Sequence, residues 1–330
     1  IVYNFSQLSK IIYIIKGVFM SVIEVDNLTK NYGSGRGVFD VSFKIERGEV
    51  FGFLGPNGSG KSTTIRHLMG FSKPDKGQTK IFGKKTFAKY YEILSKVGYI
   101  PGEIALPQGL TGWQFIRMIQ DMQKIHNEER LSRMLELFEL DDVNLKCETK
   151  RMSLGVKRKL AVVVAFMNDP EVLILDEPTS GLDPVMQEVF IQFVKEEKKR
   201  GKTILLSSHI FSEVEATCDR IAIIKDGRIV SEFVANDLKH ATTKNYEIVF
   251  NKKTDFKKFC EESKNKKKLK ILDRDEEKLC VLISTNDKYI NDIVNILSNY
   301  SIKEFSNIKE TLEDYFMKFY KEEKDFGGAL

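Results

Sequence analysis

Two hydrophobic rhythms alternate along the chain. Residues 22–25, 38–45, 50–54 and 78–82 are short runs rich in β-branched and aromatic side chains. Gly, Asn and Pro turn signals separate them, which predicts strands. Residues 63–69 read as a helix between the last two, and residues 97–100 as a further strand stopped by Pro101. From Thr111 the period becomes helical. Thr111 caps a helix through Met122, and residues 128–140 repeat Leu131, Met134, Leu135 and Phe138 on one face. This predicts a mostly helical insertion, after which the strand rhythm returns at residues 172–176. Beyond about Thr243 the pattern starts again. Residues 246–250 and 279–283 read as strands, and 255–262, 287–298 and 311–320 as helices, which predicts a small α+β domain. The lysine cluster 264–270 between them reads as a solvated loop.

Residues 11–20 are apolar but too few to span a bilayer, are interrupted by Lys16 and lack a small-residue cleavage pattern. Residues 1–20 are therefore expected to be a leader or non-native extension, in which residues 1–19 precede Met20 as the biological start. The rival reading, an interfacial anchor helix, lacks the charged polar face that such helices carry.

The segment after residues 50–54 carries the chemistry. Gly55, Pro56, Asn57, Gly58, Ser59, Gly60, Lys61, Ser62 and Thr63 fit the phosphate-loop pattern G-x-x-x-x-G-K-[ST], here between a predicted strand and a predicted helix. Glycines in such a loop let backbone N–H groups turn inward around phosphate oxygens, and the helix N-terminus adds its dipole. Lys61 is expected to reach the β- and γ-phosphates, and the Ser62 hydroxyl to join the shell of a Mg2+ ion. The four apolar residues 172–175 end in Asp176 and Glu177. An apolar parallel strand ending in two acids beside a phosphate loop assigns Asp176 to the Mg2+ shell and Glu177 to the water that attacks the γ-phosphate. Tyr32, ahead of the loop, is either a base-stacking aromatic or a packing residue.

The order of these motifs resembles the ATP-binding-cassette family, the nucleotide-binding subunits of ABC transporters, over about residues 22–232. After the phosphate loop come a signature-like segment at Met152, Ser153, Leu154, Gly155, Val156, Lys157 and Arg158, the carboxylate strand, the loop Ser180, Gly181, Leu182 and Asp183, a strand ending in Ser207, Ser208 and His209, and a hairpin at 221–230. The resemblance implies a P-loop NTPase core of the α/β class with a helical subdomain at about residues 103–165. It implies an ATPase domain over residues 21–240 and an α+β accessory domain over 241–330.

It further implies a dimer sharing two ATP molecules. Tyr32 would stack on adenine, and Ser153 and Gly155 would bind the γ-phosphate held by the partner copy. His209 would hold the γ-phosphate and Glu177, and Asp183 would lie at the seam. Two motifs depart from the family pattern. Leu154 and Val156 stand where a glycine and a glutamine are usual, and Gly102 stands in place of a metal-sensing glutamine. Glu103, next to it, is the substitute metal-shell acceptor. Such variants look like those of drug, antibiotic and bacteriocin exporters. The expected partner is an integral-membrane permease, with this chain cytoplasmic and peripheral on the inner face of the cell membrane, residues 103–115 as its docking surface and no nucleic acid expected. The alternatives are a soluble cassette ATPase acting on nucleic acid or ribosomes, and a regulatory subunit that binds ATP without hydrolysing it.

Composition changes this picture little. A net charge of +5 reads as a solvated lysine surface rather than a nucleic-acid face. The four cysteines show no C-x-x-C spacing, which argues against both a zinc site and a disulfide framework.

Overall fold

A computed structural model describes residues 21–239, 243–263, 268–308 and 311–321. The expectations for residues 1–20 and for Lys264 to Lys267 lie outside these. The chain divides into two compact units, meeting in sequence between Phe233 and Val234. Among the described residues no helix is long and apolar enough to cross a membrane.

The first unit holds two sheets. Strands β1 (Ser21–Gly33), β2 (Arg36–Glu46), β4 (Lys76–Ile81) and β5 (Lys84–Lys85) form an antiparallel sheet in the order β2-β1-β4-β5. Strands β3 (Val50–Leu54), β6 (Val97–Ile100), β7 (Val172–Asp176), β8 (Thr203–Ser208), β9 (Arg220–Lys225) and β10 (Arg228–Val234) form the second, in the order β10-β9-β3-β8-β7-β6. From β9 through β6 its pairs are parallel. Every residue of β3, β7 and β8 is buried, as strands covered on both faces require. The sheets share one core, in which Phe43 of β2 stacks on Phe51 of β3 at 5.1 Å.

Between β6 and β7 the helical rhythm forms as expected. Helix Gly112–Gln123 starts at a capping box in which Thr111 accepts from the Gln114 N–H and Gln114 answers to the Thr111 N–H. Such a cap contributes about 1 kcal/mol. Helix Glu128–Leu137 buries Leu131 and Met134, while Arg130 reaches across to Glu197 on helix Pro184–Lys199 at 2.8 Å. Both groups are buried, in a network where Asp169 also lies 3.5 Å from Arg130 and Arg200 2.9 Å from Glu197, so neither charge depends on one partner alone. This pair fastens the helical segment to the α/β core.

The second unit is a four-stranded sheet of β11 (Thr243–Phe250), β12 (Leu269–Asp275), β13 (Cys280–Asn286) and β14 (Ile302–Ile308). Its order is β12-β13-β11-β14, antiparallel throughout. Helices Lys253–Glu262 and Ile290–Leu297 pack on the face bearing Tyr246, Ile248 and Phe250. The order β-α-β-β-α-β with this pairing is the split βαβ, ferredoxin-like arrangement. Lys270, read as part of a solvated loop, lies instead in β12. Alternation of Leu269 and Ile271 toward the core pulls it into the sheet.

Candidate functional site

The phosphate loop follows β3 because the fully apolar run ends at Leu54 and the next residues cannot continue a strand. Gly58 and Gly60 have φ of 85° and 112°, the left-handed region that favours glycine. A Cβ on Gly55 would lie 2.5 Å from the Ile224 carbonyl oxygen, so that position admits no side chain. Helix Lys61–Leu68 begins with no side-chain cap and no acid in its first turn, which leaves its N–H groups and positive end toward the loop. The Ser59 hydroxyl is buried and finds no hydrogen-bond partner among the described residues. A glycine cradle, a free helix N-terminus and an orphaned buried hydroxyl fit a polyphosphate.

The carboxylates arrive on β7. Register pairs Asp176 with Ser207 of β8, and the Ser207 hydroxyl donates to Asp176 Oδ1. Asp176 is 2% exposed and thus held in one orientation. Glu177 leaves the strand with φ of 49°, left-handed backbone that costs a non-glycine residue about 1–3 kcal/mol. Its N–H still bonds the Ser207 carbonyl at 3.0 Å, so the turn is locked to β8. Glu177 Oε1 lies 3.1 Å from Lys61 Nζ and its Oε2 2.6 Å from His209 Nδ1. The ammonium also donates to the Gly55 carbonyl at 2.6 Å and the Pro56 carbonyl at 3.2 Å. Lys61, Asp176, Glu177 and His209, scattered over 149 positions, therefore meet at the carboxyl ends of β3, β7 and β8. The oxygens of Ser62 and Asp176 are a hard donor set that suits Mg2+ completed by phosphates and water. Among the described residues no group of three or more His, Cys, Asp or Glu forms a self-sufficient metal site.

The remaining expected residues stand apart from this cluster. Tyr32, at the end of β1, is 55% exposed and has the Lys30 ammonium 5.9 Å from its ring centroid. Ser153 caps helix Leu154–Phe166 by accepting from the Val156 N–H at 3.3 Å. Gly155 lies against the Gly181 carbonyl, which a Cβ there would approach to 3.4 Å. Asp183 caps helix Pro184–Lys199, accepting from the N–H groups of Val185 and Met186 at 3.1 and 3.0 Å. Those bonds, that of Met186 foremost, hold its carboxyl below the ordinary range. Glu103 is exposed.

Three residues carry roles that the sequence does not assign. Ser207 reads in sequence only as a strand end, and its role follows from the β7–β8 register. Glu213 is 1% exposed and accepts from the Ser208 hydroxyl at 2.6 Å, and burial pushes its carboxyl up to about 7. Arg158 is 2% exposed. It closes the signature-like segment, yet its local sequence does not show that its side chain turns inward.

The ABC transporter family model matches residues 38–180. The bacitracin transport ATP-binding protein BcrA of Bacillus licheniformis is 37% identical over 233 residues, 69% of this chain and 74% of that protein. The uncharacterized ABC transporter ATP-binding protein YcbN of Bacillus subtilis is 31% identical over 298 residues, 90% of this chain and 96% of its own length. The dimeric structure of the ATP-binding cassette MJ0796, in a post-hydrolysis state bound to ADP and Pi, superposes with a TM-score of 0.59 at 26% identity. It covers 64% of this chain and 98% of that one.

Proposed function

Because the chain belongs to the ABC transporter family of ATP-binding proteins, we propose that it is the ATP-hydrolysing subunit that powers a separate integral-membrane permease. The cargo class is a drug, antibiotic or peptide-like molecule carried outward, a reading supported by the similarity to the bacitracin transport protein. The observation that carries the ATPase assignment is the placement of Glu177 between Lys61 and His209 at the mouth of the phosphate loop.

In this reading residues 55–63 wrap the phosphates, with Lys61 on the β- and γ-oxygens. Ser62 and Asp176, with Glu103 as a further acceptor, would hold Mg2+, which would neutralise charge on those phosphates. Glu177 accepts a proton from the attacking water, and His209 keeps that carboxylate aimed. Tyr32 stacks on the adenine. A second copy of the chain supplies Ser153 and Gly155 at a helix N-terminus to the γ-phosphate, with Asp183 at the seam. Closure of this pair on ATP and reopening after hydrolysis drive the permease, docked at residues 103–115 on the inner face of the membrane. The ATPase domain is residues 21–240 and residues 241–330 are an accessory domain.

One variant with two readouts tests this. Tagged Glu177→Gln should bind ATP as the wild type does and release phosphate about 10²- to 10⁴-fold more slowly. Pulled from detergent-solubilised native membranes, it should bring a multi-span protein with it. Unchanged phosphate release sinks the assignment of Glu177. Recovery of ribosomes or nucleic acid alone sinks the transporter reading.

A further inference from the structure

Arg158 sits one turn into helix Leu154–Phe166, and its guanidinium meets no carboxylate directly. Its three hydrogen bonds all go to main-chain carbonyls: Nε to Ser180 at 2.9 Å, Nη1 to Pro101 at 3.0 Å and Nη2 to Gly102 at 2.8 Å. Burial pulls its pKa down, opposed by the through-space pull of Asp176 and Glu177. A buried cation without a bonded counter-ion is a poor way to gain stability. A planar fork is, however, a good way to fix several acceptors relative to one another.

The acceptors belong to the two loops that flank the carboxylates. A Cβ on Gly102 would lie 3.1 Å from Asp176 Oδ2, so the backbone at 101–102 abuts that acid. The Ser180 N–H donates to the Glu177 carbonyl at 3.2 Å, and Ser180 begins the loop that ends at Asp183. The helix that carries Arg158 is the one capped by Ser153.

We propose that Arg158 is a positioning residue that ties the start of helix Leu154–Phe166 to both loops beside Asp176 and Glu177, so that the hydrolytic geometry follows that helix. The inference rests on the ATPase reading above. Arginine is required because an ammonium offers one donor centre and cannot span carbonyls on two loops.

The test uses the full chain as wild type, Arg158→Met and Arg158→Lys. Phosphate release is measured against ATP concentration, with ATP affinity from a fluorescent analogue and Tm alongside. A displacement of about 1 Å at such a site costs about 100-fold, so kcat of Arg158→Met should fall by about that factor. KM and ATP affinity should hold, because no phosphate-loop residue is touched. Arg158→Lys should lose less and keep the same split. Wild-type kcat in Arg158→Met overturns the inference, as does a loss of kcat matched by equal losses of affinity and Tm. If Arg158→Met does not fold, the kcat and KM split in Arg158→Lys decides on the same terms. A wild type that releases no phosphate overturns the ATPase reading and this one together, whereas an active wild type with an equally active variant overturns only this one.

Discussion

In the unit up to Phe233 the buried side chains include Lys61, Arg130, Arg158, Asp176, Glu197 and Glu213, whereas in the described part of the second unit the buried polar groups are Ser263 and Thr285. Both units close a hydrophobic core over a sheet, so neither needs interior charge in order to fold. In the first unit Arg130 and Glu197 pair with each other and hold helices together. The others gather where β3, β7 and β8 end. Buried charge therefore gathers at the candidate site in the first unit, while the described core of the second is apolar.

Removing the brace of one buried acid should have the largest effect. Ser207→Ala leaves Asp176 without its β8 partner, and the Mg2+ concentration for half-maximal phosphate release should rise about 10- to 100-fold. An unshifted Mg2+ curve would separate Ser207 from the metal.

Glu213 gives a smaller, pH-dependent effect. Its carboxyl is raised from 4.5 to about 7 by burial, and its Oε1 finds no hydrogen-bond partner among the described residues. The native state thus keeps a proton that the unfolded chain releases, so stability is full below pH 4.5 and falls as pH rises toward about 7. Glu213→Gln lacks that fall. Its Tm should gain on the wild type across this window, and parallel Tm profiles would remove Glu213 from the set of strained interior charges.

The smallest effect belongs to the second unit. Ile283 is fully buried in its apolar core, and Ile283→Val should cost about 0.5–1.5 kcal/mol with phosphate release unchanged. The single tryptophan, Trp113, lies in the first unit, so calorimetry rather than tryptophan fluorescence should report the loss. Altered turnover in this variant would break the contrast between the units.

Local pattern alone determined the phosphate loop, the paired acids after an apolar strand, the Thr111 cap and the shift to helical period, because each is written in neighbouring residues. A loop that needs positive φ shows its glycines, and a strand covered on both faces shows an unbroken apolar run. The second unit was legible only as α+β. Its strands β12 and β14 are edge strands with mostly exposed or half-buried residues, so their sequence lacks an apolar run. Tertiary structure decided what depends on register and on distant loops. The β7–β8 pairing sets Ser207 against Asp176, the left-handed turn at Glu177 carries that carboxylate to Lys61 and His209, and the return of two loops past one helix buries Arg158. Contacts between residues 22 to 116 positions apart leave no periodicity in the chain, and the strand order that creates them is a property of the whole core.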